Sequence, residues 1–437
     1  MAIKTLDRLT PDGQVYYDSE MQITEAFVNP GPWTTAHGPG LLETPAGTIL
    51  CCWFAGTYEG DTDINIVVSR LEKGSDKWSE PTYISHNDDR SDQNPSLFLA
   101  PNGEIWCMYT SQLGRQPGKD NMQYTAQVKR QVSTDDGLTW SEPEIIFPEE
   151  GTFSRQPIQI LSNGRWIYGN WLCTDSASAL AGDPSAFQIS DDAGETWRQV
   201  MVPNSSGRVH PTVVELEDGH LVNFMRSREA DWIYRSESFD YGDTWTEPVP
   251  TVLPNNNSGI CAIKLKSGRI AVTYNHSSAP ASYTDRGAWP GLRCPVSIAL
   301  SEDGGQTFPL IRHIERGQGF VGDENKANNM QYEYPCIMQA ADGMIHLAYA
   351  YETRKGVKWV TLSEEDVMGK TRGASTYNPT SGEVQQYGNR TWRPHRGRCG
   401  RPFGAELVTR LGSHPRTVRD SSQRTAPKYE AGGIAVE

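Results

Sequence analysis

A short motif that occurs four times places the strongest constraint on how this chain can fold. The copies at 133–140, 190–197, 238–245 and 301–308 read STDDGLTW, SDDAGETW, SFDYGDTW and SEDGGQTF. Glycine can adopt the positive φ that a tight turn requires, and the aspartate can accept backbone N–H bonds across that turn. Because four copies in a repeat architecture cannot share one active site, we interpret the motif as a structural turn.

A second repeated unit lies between these turns. It consists of a short apolar run, a turn centred on glycine and another apolar run, which is the pattern of a β-hairpin. A third run follows each hairpin, and in most units the turn motif leads into a fourth. The hairpins occur six times, at 37–50, 94–106, 155–167, 210–222, 257–271 and 334–346.

Six units of four strands predict an all-β fold, a six-bladed β-propeller of four-stranded blades, over residues 1–369. The sixth unit has no turn motif and no fourth strand of its own. We expect the segment 13–27, GQVYYDSEMQITEAF, to supply that strand, because this closes the ring and covers the exposed sheet edges.

The charge of the chain is uneven. The 437 residues carry a net charge of −14, but segment 370–437 holds 12 Lys and Arg against 5 Asp and Glu. Residues 1–369 therefore carry −21, and an acidic body argues against a nucleic-acid partner. The tail is basic, rich in Gly, Pro, Ser and Arg, and has little hydrophobic periodicity. It is expected to be disordered or loosely packed.

The remaining composition limits which partners, cofactors and cellular locations are expected. No apolar run approaches the length of a membrane span, so no membrane partner is expected. The eight cysteines form no CxxC pair, which argues against a zinc site or a disulfide framework. No cofactor is expected, although the acidic segment 88–94 leaves a structural calcium open. The N-terminus lacks the apolar core of a signal peptide, which predicts a cytoplasmic protein, or a secreted one if that N-terminus is a processed or recombinant start. The oligomeric state is left open.

Successive strands of a blade run in opposite directions, and this indicates which face of the ring carries the binding residues. The glycine turns and the repeated motif share one face of the ring, whereas the long, polar, variable loops share the other, where binding residues usually occur. Residues just before each first strand should meet at the axis, and residues that leave each second strand should surround them. The candidates for substrate binding or catalysis obtained in this way include His37, Asn94, Arg155, His210, Asn257, Tyr334, Tyr58, Asp61, Arg226 and His276.

The repeated motif resembles the Asp-box repeats of the sialidase superfamily, and with the hairpins the resemblance covers about residues 30–365. The segments HPTVVELEDGHLVNFMRS and YEYPCIMQAADGMIHLAYAYE are similar to the fourth and last blades of those enzymes. The resemblance implies Asp61 as acid/base and Tyr334 as nucleophile, an exception to the two-carboxylate scheme of most glycosidases. It also implies Arg226 and Arg293 as two of three arginines that bind a substrate carboxylate.

Two positions depart from the sialidase pattern. His37-Gly38-Pro39 stands where those enzymes have Arg-Ile-Pro, and His210 stands where the glutamate partner of the tyrosine is expected. A neutral histidine can accept a proton from tyrosine, although less effectively than glutamate.

These departures leave three functions open. The first is a sialidase-like exo-glycosidase that acts at the non-reducing end of a glycan containing sialic or uronic acid. The second follows a likeness to rhamnosidases and to lyases that cut rhamnose–glucuronate linkages by β-elimination, for which histidine has a suitable pKa. The third is a glycan-binding propeller without catalysis.

Overall fold

Six antiparallel sheets surround a common axis and form a six-bladed β-propeller. The computed structural model describes residues 12–19, 21–29, 31–119, 122–175, 182–279, 293–315, 332–351 and 354–369. It also describes the backbone of Ser375–Tyr377 and Val384–Gln386. Helix is scarce in these ranges and includes a 3₁₀ turn (Gln123–Thr125) and a short helix, α1 (Glu364–Val367). The expected all-β propeller is therefore confirmed.

The first three blades follow the chain from the inner to the outer strand, after two N-terminal strands, β1 (Val15–Asp18) and β2 (Ile23–Val28). Blade 1 contains β3 (Thr35–Glu43), β4 (Ile49–Gly56), β5 (Asn65–Leu71) and β6 (Thr82–Tyr83). Blade 2 contains β7 (Arg90–Leu99), β8 (Ile105–Leu113), β9 (Gln127–Ser133) and β10 (Glu144–Phe147). Blade 3 contains β11 (Thr152–Ser154), β12 (Gln159–Ile160), β13 (Trp166–Leu172), β14 (Ser185–Ser190) and β15 (Arg198–Met201).

The last three blades continue in the same order. Blade 4 contains β16 (Arg208–Glu217), β17 (His220–Ser227), β18 (Trp232–Ser238) and β19 (Val249–Pro254). Blade 5 contains β20 (Cys261–Lys264), β21 (Ile270–Asn275), β22 (Val296–Ser301) and β23 (Leu310–Glu315). Blade 6 contains β24 (Glu333–Gln339), β25 (Ile345–Tyr351) and β26 (Gly356–Leu362).

The ring closes through strand β2, which pairs antiparallel with β26, with Ala26 opposite Trp359. β1 adds a fifth strand outside it. Behind this junction the buried Lys358 ammonium lies 2.7 Å from a carboxylate oxygen of Glu25 and 2.9 Å from one of Glu315. Since Glu25 belongs to β2 and Glu315 to blade 5, this ionic triad joins the first strands of the chain to the last two blades.

Two further strands lie inside the segment predicted to be a loose tail. β27 (Ser375–Tyr377) and β28 (Val384–Gln386) extend the sheet of blade 5, with Tyr377 opposite Ile311 of β23. The other residues of 370–437 lie outside the described residues.

The first strand of blade 3 is divided, unlike the continuous hairpin expected from the sequence. β11 and β12 both pair with β13, and the ladder is interrupted between them. Pro157 in that gap has no N–H to donate. The side chain of Gln156 instead crosses toward blade 5 and donates to the carbonyl of Ile260 at 2.6 Å.

The repeated motif has the same hydrogen bonds in each of its four copies. In blade 4 the Asp240 carboxylate accepts from Ser238 Oγ at 2.8 Å, Thr244 N at 2.8 Å and Thr244 Oγ1 at 2.6 Å. The amide of Gly242, at φ 90°, donates to Ser238 Oγ at 2.8 Å. The Trp245 ring then stacks on Phe187 of blade 3 at a centroid distance of 4.5 Å. The motif is therefore a turn that also joins neighbouring blades.

The hydrophobic core consists of apolar layers between successive sheets. Between blades 6 and 1, for example, Trp53 and Trp78 pack with Ala348 and Trp359. Comparable clusters occupy the other five junctions around the ring. Where both faces of a strand are covered, the strand is apolar along its whole length rather than alternating, as in β4.

We expect Asp240→Ala to lower the free energy of unfolding by about 1–3 kcal/mol, because a charged acceptor of three hydrogen bonds is lost. Urea denaturation at neutral pH measures this, with Asp218→Ala, an exposed aspartate in the turn between β16 and β17, as the control.

The loss of unfolding free energy in Asp240→Ala should also depend on pH. Burial tends to raise the pKa of Asp240, but bonds from Thr244 and Ser238 outweigh it and lower the pKa below its ordinary value. The stabilisation is therefore present at neutral pH and disappears as the pH falls through that lowered pKa. A difference between Asp240→Ala and the parent that persists unchanged in acid would contradict this account.

Candidate functional site

A β-bulge at the start of the first strand directs side chains to the axis in blades 1, 2, 4 and 6. In each of these blades the pairing advances by three residues along the first strand but by only two along the second, so the first strand contains one extra residue. The residue at the bulge has positive φ and precedes a proline, which is an unfavourable combination for a residue with a side chain. Asn257 of blade 5 has the same backbone conformation. The residues are Gly38 (63°), Asn94 (51°), His210 (56°), Asn257 (58°) and Tyr334 (51°).

Tyr334 lies at the centre of the site and is buried. Its hydroxyl accepts a hydrogen bond from Arg226 Nη1 at 2.7 Å. The guanidinium carbons of Arg155, Arg226 and Arg293 lie 4.9, 5.4 and 5.6 Å from the centroid of its ring. Burial by itself raises the pKa of Tyr334, but the charges of Arg226 and Arg293 outweigh burial and lower that pKa below its usual value. The phenol is therefore activated toward ionisation.

His210 lies beside this phenol. Its ring stacks on Trp171 at 4.5 Å and meets the Tyr334 ring edge-on at 5.2 Å. Its Nε2 is 3.1 Å from Arg226 Nη1 and must accept there, because a guanidinium only donates. Burial and the charge of Arg226 hold the pKa of His210 well below its usual value. His210 is accordingly a neutral base at physiological pH.

Glu333, which directly precedes the tyrosine, supplies a buried carboxylate. Its Oε2 is 2.9 Å from Arg293 Nη1 and 2.6 Å from Arg354 Nε. Burial tends to raise its pKa, but these two arginines outweigh burial and lower it, so Glu333 is ionised. It is 1 % exposed, and its charge is balanced within the protein rather than by solvent.

His37 fills the space between Glu333 and the tyrosine. Its Nε2 is 3.3 Å from Glu333 Oε2, but neither ring nitrogen is aligned for a hydrogen bond. The ring packs on Tyr334 at 4.1 Å and on Phe54 at 5.2 Å. Burial and the charge of Arg354 hold the pKa of His37 well below its usual value, so it too is neutral.

Two of the arginines carry unused donors. Arg155 Nη2 donates to the carbonyl of Tyr334 at 2.6 Å, but its Nε and Nη1 have no hydrogen-bond partner in the described part of the chain. Arg226 Nε donates to Asn257 Oδ1 at 2.8 Å, whereas its Nη2 has no partner among those residues. Burial lowers the pKa of Arg226 to about 10, which leaves it charged at neutral pH. Buried donors without partners are costly, so this arrangement favours an anionic ligand.

A rim of exposed residues lies on the loop after β4. Tyr58 is 59 % exposed and is covered by the Arg115 guanidinium at 4.5 Å. Asp61 accepts a hydrogen bond from Thr57 Oγ1 at 3.3 Å and lies 3.9 Å from Arg115. Glu59 on the same loop forms an ion pair with Arg354, which connects the rim to Glu333.

The predicted residues therefore fall into three groups. Tyr58 and Asp61 belong to the rim. His276 instead hydrogen-bonds Tyr274 through Nδ1 at 2.5 Å and packs 5.3 Å from His313 of the outer strand β23. Its position after a second strand predicted a side chain that surrounds the axial residues, but chain position does not fix the side-chain direction. The structure brings together His37, Asn94, Arg155, His210, Arg226, Asn257, Arg293 and Tyr334.

Sequence reasoning missed Glu333 and Arg354 as members of the site. Glu333 could have been found, because it occupies in YEYP the position that His37 occupies in HGP, one residue before the bulge. Arg354 has no comparable signal, since it follows β25 in a loop without a repeated motif.

Two findings bear on cofactors and membranes. Across the described ranges, no group of three His, Cys, Asp or Glu is placed to hold a metal ion. No helix within those ranges is long and apolar enough to cross a membrane.

Known proteins with this architecture share its sequence features. Residues 47–347 match the BNR repeat-like domain. The chain is 25 % identical over 232 residues to the anhydrosialidase of Macrobdella decora, covering 50 % of this chain and 28 % of that protein. It is 25 % identical over 359 residues to a sialidase of Bacteroides fragilis (strain YCH46), covering 73 % of this chain and 61 % of the relative. The chain thus spans less than two thirds of either curated relative.

The fold is also found in solved structures. The Hadza microbial sialidase Hz136 superposes with a TM-score of 0.61 at 18 % identity, over 76 % of this chain and 66 % of that one. The match to the BNR repeat-like domain extends over more than half of the chain and coincides with the blades and turns described above. The chain therefore belongs to the BNR repeat-like domain family, within the sialidase superfamily.

Proposed function

We propose that this protein is a glycoside hydrolase that releases a carboxylate-bearing sugar, of the sialic acid type, from the non-reducing end of a glycan. The observation that carries the proposal is the Tyr334 hydroxyl. It is buried, bonded to Arg226 and lowered in pKa, among arginines that have unused donors. The names of the two curated relatives, a sialidase and an anhydrosialidase, support the same reaction class.

The charge balance of the site supports an anionic substrate. Arg293 and Arg354 form ion pairs with the carboxylates of Glu333 and Glu59, whereas Arg155 and Arg226 form no ion pair with any carboxylate of the described residues. The two axial histidines, His37 and His210, are neutral and add no charge to the site. A substrate carboxylate would supply the missing negative charge and accept from the free donors, as buried ion pairs require.

Tyr334 is suited to the role of nucleophile. In the proposed reaction its oxygen bonds to the anomeric carbon as the glycosidic C–O bond breaks. His210 Nε2 takes the phenol proton as it exchanges the bond from Arg226 Nη1, which contacts both groups, for that proton, and Asp61 in its protonated form protonates the departing oxygen. Water then attacks the anomeric carbon as the bond to the Tyr334 oxygen breaks. Asp61 takes the proton of that water, and the proton held by His210 returns to the phenol oxygen. Asp61 lies on an exposed loop, where it can meet both the leaving group and solvent.

Histidine in place of glutamate suits the local charges. A glutamate beside Tyr334 would raise the phenol pKa by repulsion, whereas neutral His210 leaves the lowering effect of Arg226 and Arg293 intact. The second curated relative is named a sialidase and the first an anhydrosialidase; neither is named a lyase. Hydrolysis is accordingly the proposed reaction, and elimination has no separate observation in its favour.

We expect Tyr334→Phe to reduce kcat on sialyllactose by roughly three orders of magnitude or more, because the nucleophilic oxygen is removed while the ring remains. Affinity for the substrate should stay within a few-fold, since the arginines are unchanged. Release of free sialic acid measures turnover, and calorimetry with the Phe variant measures binding.

Three outcomes separate the alternatives. Equal cleavage of a neutral glycoside would contradict the requirement for a carboxylate. Tight binding of sialyllactose and glucuronate-capped oligosaccharides by the parent, with cleavage of neither, indicates a glycan-binding propeller. An unsaturated uronate, detected by its ultraviolet absorbance, would indicate a lyase.

We expect His210→Asn to lower kcat by about 10²-fold or more while KM changes little, because the proton acceptor is lost. Asparagine tolerates the positive φ at this position, which keeps the backbone unchanged. His210→Glu should retain more activity than His210→Asn, since a carboxylate can also accept the phenol proton. Steady-state kinetics from pH 5 to 8 compares the three proteins, and equal activity of all three would remove His210 from the mechanism.

A further inference from the structure

A cavity lies in blade 1, on the face that carries the axial site. It has a volume of about 480 Å³, within the range of small-molecule sites. We call it the blade 1 groove, and its walls include Trp33, Asp63, Asn65, Tyr83, Ser85 and His86. None of these residues belongs to the reaction proposed above.

Two aromatic rings form one wall of the blade 1 groove. Trp33 meets Tyr83 edge to face at 5.9 Å, and its indole N–H donates to the Tyr83 hydroxyl. On its other side Trp33 packs edge to face against Trp53 of the core at 6.0 Å. Tyr83 is 51 % exposed. The two rings are thus held in fixed positions and offer an accessible apolar surface of the kind that stacks on a sugar ring.

A buried acceptor without a partner faces this wall. Asn65 is 7 % exposed, and its Oδ1 has no hydrogen-bond partner among the described residues. Its Nδ2 donates to the carbonyl of Asp63 at 3.1 Å, which fixes the orientation of the amide. A buried acceptor left unpaired costs free energy. A ligand hydroxyl in the groove would satisfy it.

The charge of the groove is opposite to that of the axial site. Among the described residues that line it, the one carboxylate is Asp63, and there is no lysine or arginine. Thr57 donates to this carboxylate through its backbone N at 3.0 Å and its Oγ1 at 2.9 Å. An acidic sugar would be repelled there, whereas the hydroxyls of an uncharged sugar can donate to both Asn65 and Asp63.

We propose that the blade 1 groove is a second carbohydrate-binding site, which takes a neutral hexose stacked on Tyr83 and Trp33 and bonded to Asn65 Oδ1. This site goes beyond the proposed hydrolysis, since none of its contacts involves Tyr334 or the arginines. It would give the protein an additional hold on a glycan whose inner sugars are uncharged.

Lactose, a neutral disaccharide, is the probe, and the Tyr334→Phe protein is the starting point. Calorimetry and saturation-transfer NMR should show saturable binding with a dissociation constant in the millimolar range. Tyr83→Ala should weaken it at least about tenfold, because the stacking surface is lost, whereas Tyr83→Phe should retain it within about threefold. Trp232→Ala, at an aromatic residue of blade 4 that is 44 % exposed, is the matched control and should bind as the starting protein does.

Several outcomes would overturn the proposal: no saturable binding of lactose up to about 50 mM, equal binding by Tyr83→Ala, or displacement of lactose by free sialic acid. The last result would mean that the lactose occupies the axial site. Failure here is distinguishable from failure of the proposed hydrolysis. Cleavage of sialyllactose by the parent chain tests the axial site by itself, and Tyr83→Ala should leave that cleavage rate within about twofold.

Discussion

The bulge at the start of the first strands is the constraint on which the site depends. In a regular strand successive side chains alternate between the two faces of a blade and none points to the axis. One extra residue with positive φ breaks this alternation and turns a side chain inward. For a residue other than glycine the conformation costs about 1–3 kcal/mol and persists only where the surroundings enforce it. At Tyr334 and His210 the packed neighbouring blades provide that enforcement, against the extended conformation that the following proline favours.

Glycine at the first bulge allows the other residues to come together. A Cβ on Gly38 would lie 2.9 Å from the Phe54 ring and 3.2 Å from Asn94 Oδ1. Its absence leaves room for His37 to pack between Phe54 and Tyr334. The same bulge therefore places a side chain at the axis in blades 4 and 6, whereas in blade 1 the bulge residue is a glycine and has none.

Burial then determines how the assembled groups ionise. Both histidines lose their charge because they are shielded from water and surrounded by arginines. Glu333 keeps its charge because two of those arginines contact it directly. At the phenol of Tyr334 the charges of Arg226 and Arg293 outweigh burial and the charge of Glu59, so its pKa is lowered. The departure at His210 from the sialidase pattern thus places a neutral ring, rather than a carboxylate, beside the tyrosine.

Regularity in the chain made most of the fold predictable. The turn motif and the hairpins are local patterns, and local hydrogen bonds such as those of Asp240 specify them without help from distant residues. His37, Asn94, Arg155, His210, Asn257 and Tyr334 were predictable for a related reason, because repeated strands begin at equivalent heights around the ring, whereas Arg293 was indicated only by the resemblance to sialidases. The direction of His276, the ion pair of Glu59 with Arg354 and the blade 1 groove were not predictable, because they depend on which loops meet in space.

The sequence by itself determined the six blades and which side chains, among them those of His37, His210 and Tyr334, lie where the first strands of those blades begin. Each of these follows from repetition along the chain. Only the tertiary structure decided which of those side chains are neutral, which are paired and which have free donors. These properties arise where His37 of the first blade meets Glu333 of the last, and ionisation depends on distance, burial and neighbouring charge rather than on order in the sequence.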